Sequence, residues 1–158
     1  MKPGLDVKHI NPFLQSSMTV LESAAQMKMS IGKPSVSALG FEDQVLVLQV
    51  GVTGDLKGQI LIVMKADNAK AIASKMMFGM PVEQLDDMAI SALSELSNMI
   101  MGNTATLFSA QDIRIDITPP LTLFGTQLHL TSDAQALKVP FIFEGNEYVS
   151  IYICIAKD

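Results

Sequence analysis

Four residues at helical spacing, Ser91, Glu95, Asn98 and Gly102, are the first candidates for chemistry in this chain. Advancing about 100° per residue, with Leu96 as the centre of the buried face, places all four on one stripe about 60° wide. Glu95 and Asn98 stand at i and i+3 and are therefore neighbours on that stripe. A carboxylate accepts hydrogen bonds and attracts cations, whereas a carboxamide both donates and accepts and does not titrate. Ser91 and Gly102, one turn away on either side, are too small to screen them. Gly102 carries its own argument. A mid-helix glycine costs about 1 kcal/mol relative to alanine, which makes sense where another backbone or side chain must approach the helix. The wider pattern, Ser or Asp before the Glu and Gly after the Asn, arises by chance in roughly one chain in a hundred.

The same wheel assigns Leu85, Ala89, Ala92, Leu93, Ile100, Asn103 and Leu107 to the buried face, within about 60° of Leu96. Asn103 on that face reads as a hydrogen-bonded core amide. Other candidate chemistries reduce to structure. His9 and His129 lie far apart in sequence without spaced partners, and a zinc site needs three or four clustered ligands, so no metal site is expected. The run GVTGDLKG, Gly51–Gly58, lacks the Gly-Lys-Ser/Thr ending of a phosphate loop and reads as a hairpin turn. Cys154 sits in an apolar strand and reads as core. Met76, Met77, Met88, Met99 and Met101 could form an adaptable docking surface, although gap-filling in the core is the commoner use.

Composition bounds the rest. The chain has 158 residues, 49% of them hydrophobic and 17% charged, with a formal net charge of −5. It is a globular composition with ample apolar side chains for a core, expected to form a single domain over residues 1–158. The acidic balance and the lack of any Lys/Arg cluster exclude nucleic acid and an anionic membrane as partners. No run of eighteen apolar residues occurs, and the start MKPGLDVKHINPF has no uninterrupted apolar core. The single cysteine suits a reducing compartment. A cytoplasmic location is therefore expected.

The elements that must position the stripe follow from periodicity. Asn11-Pro12 reads as a helix start, with apolar spacing continuing through Met29 to Gly32. Strands are expected at Ser35–Phe41, Gln44–Val52 and Gly58–Lys65. Asp67 is placed to cap a helix over Asn68–Phe78, and a third helix runs from about Glu83 to Ser109. Ile113, Ile115 and Ile117 alternate with polar residues in a strand that ends at Pro119-Pro120. Thr122–Thr131, Leu137–Phe143 and Tyr148–Ala156 complete the strands, with a tight turn at Gly145-Asn146. This order predicts an α+β fold, a mainly antiparallel sheet covered by three helices.

With the motif and the element order in hand, the chain resembles the CheC/CheX/FliY family of chemotaxis phosphatases, most closely the CheX branch. Ser91-x-x-x-Glu95-x-x-Asn98 with Gly102-Asn103 behind it matches the family signature. Pro119-Pro120 stands near the place of the signature's proline, and Ile10–Leu14 (INPFL) resembles the start of CheX proteins. CheC and FliY carry the Glu-x-x-Asn motif twice. Here Glu22 is followed three residues later by Ala25, so one copy remains, as in CheX.

The resemblance implies an enzyme that hydrolyses the aspartyl phosphate of a CheY-like response-regulator receiver. Glu95 and Asn98 would be its catalytic residues: Asn98 holding a water in line with the phosphorus, Glu95 pairing with the receiver's active-site lysine. Ser91 and Gly102 would form the surface that receives the partner. Mg²⁺ would come with the receiver, and this chain would bind no cofactor. The family further implies a homodimer sharing a sheet between subunits, and the apolar strand Tyr148–Ala156 is the expected unpaired edge. The contrasting reading is a non-catalytic interaction or scaffold module of a chemotaxis or flagellar switch assembly.

Overall fold

A computed structural model describes residues 7–132 and 135–157. The first six residues of the amino-terminal stretch, read above as lacking a leader, lie outside them. Along the chain run α1 (Val7–Ala25), β1 (Ser30–Ile31), β2 (Ser35–Ser37), β3 (Gly40–Phe41), β4 (Val45–Gly54), β5 (Leu56–Lys65), α2 (Ala66–Met76) and α3 (Asp87–Ser109). Then come β6 (Ile115–Ile117), β7 (Leu121–Gly125), β8 (Leu128–His129), β9 (Ala136–Phe143) and β10 (Asn146–Lys157). The α+β architecture expected from the sequence is the one that forms.

An antiparallel sheet in the order β1-β9-β10-β5-β4-β6 organises the chain, with β2 also pairing β9 and β7 also pairing β4. The three helices cover one face. Their apolar sides meet Leu46, Leu48 and Val50 of β4, Ile60, Ile62 and Met64 of β5, and Ile151, Ile153 and Ile155 of β10. The opposite face is also apolar, with Val47, Leu61, Val63, Tyr152 and Cys154 packed against Leu39, Phe41 and Ala136. A small sheet of β3 and β8 supplies part of that second cover. Phe41 meets Tyr152 edge-on there, ring centroids 5.3 Å apart. Burial on both faces explains why β4 and β5 read as near-continuous apolar runs rather than as alternation.

Several sequence boundaries move, each for a local reason. α1 begins at Val7 and contains Pro12. Pro12 is the sixth residue of the helix, where it forfeits the bond to the carbonyl of residue 8 and crowds that carbonyl, a local cost that the helix absorbs, so Pro12 does not mark the start. The helix also stops at Ala25 rather than near Gly32. Gln26 turns to a positive φ of 52°, and Ser30–Ile31 then pairs with β9. Asp67 does not cap α2. β5 runs straight into the helix, Lys65 takes the cap position without a side-chain bond, and Asp67 sits in the first turn. Its negative charge still suits that positive helix end.

The expected strands Ser35–Phe41 and Thr122–Thr131 each break in two, because the chain leaves the large sheet in both places to build the small one. Asn146 already belongs to β10, and the turn is Glu144-Gly145, with positive φ at both residues. The largest correction concerns β10 itself. It pairs with β5 on one side and β9 on the other, so it is a central strand and not an open edge. The edges are β1 and β2 at one end and β6 and β7 at the other. Pro119-Pro120 separates β6 from β7, as prolines without a donor must where a strand follows β4.

Candidate active site

α3 is set by its amino-terminal cap. Asp86 is extended, and its Oδ1 accepts from the backbone N–H of Ala89 at 2.9 Å. The start therefore lies four residues after the expected Glu83, while the end at Ser109 agrees. The helix packs on α1 through Phe13 and Phe108, whose rings meet edge-on at 5.4 Å. Asn103 is half-buried, and its Nδ2 donates to Ser16 Oγ of α1 at 3.2 Å. The inward amide expected from the sequence thus ties the two helices together.

The buried residues of α3 are Ala89, Leu93, Leu96, Ser97, Ile100, Met101, Thr104 and Phe108. Their mean direction lies about 70° beyond Leu96, so the expected centre of the buried face is displaced. Ala92 and Leu107, placed on that face by the wheel, are only half-buried. Ser97 and Thr104 are fully buried although polar, and the Thr104 hydroxyl donates to the carbonyl of Ile100 at 2.7 Å. Weighting the wheel by the large Phe108 and Met101 would have found the shift.

The shift sharpens the site. Glu95 and Gly102 now lie within about 10° of directly opposite the core, with Ser91 and Asn98 beside them. All four are exposed. Among the described residues, neither the Glu95 carboxylate nor the Asn98 amide has a hydrogen-bond or ion-pair partner. A Cβ built on Gly102 would meet nothing within 4 Å. No internal packing requires that glycine.

The face also holds residues that the sequence wheel left out. Met88 is 61% exposed and Met99 38% exposed, and both project on the Glu95 side of the stripe. Of the other helix methionines, Met101 is buried and Met76 packs half-buried against the core. On α1, Glu22 is exposed but Ala25, where a second motif would need its Asn, is fully buried. Cys154 is also fully buried, and burial pushes its thiol up despite a hydrogen bond with Ser132 that works the other way. It is a core residue. Among the described residues, no group of three or more His, Cys, Asp or Glu could hold a metal ion. No described helix is long and apolar enough to cross a membrane.

A family model described as chemotaxis phosphatase CheX matches residues 46–144, a span that includes the whole of α3. The chain belongs to the chemotaxis phosphatase CheX family. It is 28% identical to the CheY-P phosphatase CheX of Thermotoga maritima over 96% of this chain and 97% of that one. Among solved structures, the CheX–CheY–BeF3–Mg²⁺ complex of Borrelia burgdorferi matches with a TM-score of 0.80 and 29% identity, covering 94% of this chain and 98% of that one. A CheC-like superfamily protein from Shewanella matches with a TM-score of 0.84 and 28% identity, covering 96% and 99%.

Proposed function

We propose that the chain hydrolyses the aspartyl phosphate of a CheY-like receiver domain, with α3 as the working surface. The observation that carries this reading is the Glu95–Asn98 pair, exposed and unpartnered beside the open space at Gly102. A relative similar over nearly its whole length is a CheY-P phosphatase, which supports the substrate class.

The chemistry asks little of this chain. Water attacks the phosphorus, the P–O bond to the receiver's aspartate breaks, and inorganic phosphate leaves the carboxylate free. The receiver brings the phosphorylated aspartate and Mg²⁺, which neutralises phosphoryl charge. Asn98 enters beside the phosphoryl group and orients the water through its amide. An amide has no proton to take up near neutral pH, so it positions and does not act as a general base. Glu95 pairs with the receiver's lysine and fixes the register of docking. Ser91 and Gly102 keep the helix surface low enough for the receiver to close over it.

The chain works as a single domain, in the cytoplasm where such receivers act, and as a homodimer. Exposed apolar residues on the sheet edges support dimerisation, namely Ile31 and Val36 at one end and Leu121 and Phe124 at the other. Light scattering at micromolar concentration should return twice the chain mass; the mass of one chain would remove the dimer. The activity itself is tested by incubating candidate receivers, phosphorylated with acetyl phosphate, with and without the protein. Faster phosphate release from at least one receiver is expected. Unchanged release from every receiver of the host would leave a binding module in place of an enzyme.

A further inference from the structure

The exposed face of α3 consists of two unlike columns. Met88, Glu95, Met99 and Thr106 fall within about 40° of one another, and Ser91, Asn98, Gly102 and Ser109 form a second column beside them. The second is small throughout except for Asn98. The first brackets its one charge with two methionines, Met88 61% and Met99 38% exposed. Helix stability does not require this placement, since the core lies on the far side and a polar residue there would serve solubility better.

We infer that Met88 and Met99 are docking residues, an apolar clamp that seats on the receiver to either side of its active-site lysine. This rests on the receiver-phosphatase reading and deepens it by assigning where the binding energy comes from. Its basis is continuity with that surface: both methionines flank Glu95 on the same column of the same helix. An exposed ion pair alone contributes little to affinity. Apolar contact around the pair supplies the affinity, while the pair itself sets register and stays open to screening by salt. Methionine suits the task because its unbranched thioether adapts to an uneven surface. The clamp therefore fits a receiver that shows apolar surface around a lysine, and it tolerates variation in that surface.

The test is steady-state phosphate release over a range of phospho-receiver concentrations. Met88→Ser and Met99→Ser should each raise KM by about fivefold and leave kcat within about twofold, the signature of lost binding shared by ground and transition states. Met→Leu at the same positions should restore most of the KM, since an apolar side chain of similar volume can still make the contact. Serine variants with wild-type KM would overturn the clamp while wild-type turnover, and its loss in Asn98→Ala, kept the phosphatase reading intact. A fall in kcat at unchanged KM would also overturn it, and so would leucine variants as poor as serine. Wild-type protein that releases no phosphate would remove both readings together.

Discussion

Asn98 and Gly102 stand one turn apart on the exposed face of α3, and beside Asn98 the helix surface at Gly102 is open to solvent. A side chain that must reach into another molecule needs a low surround, and this pairing provides one. The contrast with Gly58 is instructive. Gly58 has a φ of +149°, and a Cβ there would overlap the Cys154 carbonyl of the neighbouring strand. One glycine serves the chain's own backbone, whereas no internal packing requires the other.

The two glycines therefore respond oppositely to alanine. Gly102→Ala should stabilise the fold by about 1 kcal/mol, the helix-propensity difference, while raising KM for the phosphorylated receiver. Gly58→Ala should be strongly destabilising, because backbone atoms cannot yield to it. Urea unfolding checks both stability claims, and kinetics the KM of Gly102→Ala. A Gly102→Ala protein that is both more stable and fully active would detach the glycine from docking.

Glu95 makes a charge prediction. If it meets a cation on the receiver, Glu95→Ala should raise KM roughly tenfold at low salt, with the penalty shrinking as salt screens the lost attraction. Glu95→Lys should be worse than alanine, since two cations then meet. Equal effects of Ala and Lys at every ionic strength would end the ion-pair role.

Tyr152 links stability to alkaline pH. Burial, with the Glu147 carboxylate adding to it, pushes its phenol up to about 12 from an ordinary value of about 10. The folded state thus favours the neutral phenol, and its contribution is fully present below about pH 10 and lost as pH rises to about 12. Over that window, wild-type protein should lose on the order of 2 kcal/mol relative to Tyr152→Phe. Denaturant unfolding of both proteins at stepped pH measures this. Parallel stability curves from pH 9 to 12, taken as about the range of the two states, would contradict it.

The sequence made the helices and most strands legible because their signals are local. Periodicity marked α3, and the apolar runs marked β4 and β5. What was hidden was non-local. Val149, Ile151, Ile153 and Ile155 reveal one apolar face of β10, but alternation is silent on which strands lie beside it. Tyr152 and Cys154 on its other face, also buried, were the clue that β10 is central. The break within 35–41 could not be read, because the strands that Val36 and Phe41 pair with, β9 and β8, are far away in sequence. At the site, Glu95 and Asn98 were legible as a pair, and Met88 and Met99 were legible as candidates for docking, but a wheel centred on Leu96 did not set them beside Glu95. Buried Ser97 and Thr104 look like surface residues in sequence, and that displaced the centre.

Single-turnover phosphate release by Asn98 variants tests the central claim most directly. If its amide orients the attacking water, Asn98→Ala should slow hydrolysis by about 10²-fold, or roughly 3 kcal/mol of barrier. Receiver binding should change little, because that contact matters mainly in the transition state. Fold stability should hold too, since Asn98 is exposed and lies about 130° from the buried centre of α3. Asn98→Asp should be as slow as alanine, because a carboxylate repels the phosphoryl group and cannot donate a hydrogen bond. Wild-type hydrolysis in Asn98→Asp would contradict water positioning by the amide, and wild-type hydrolysis in Asn98→Ala would contradict the active site itself.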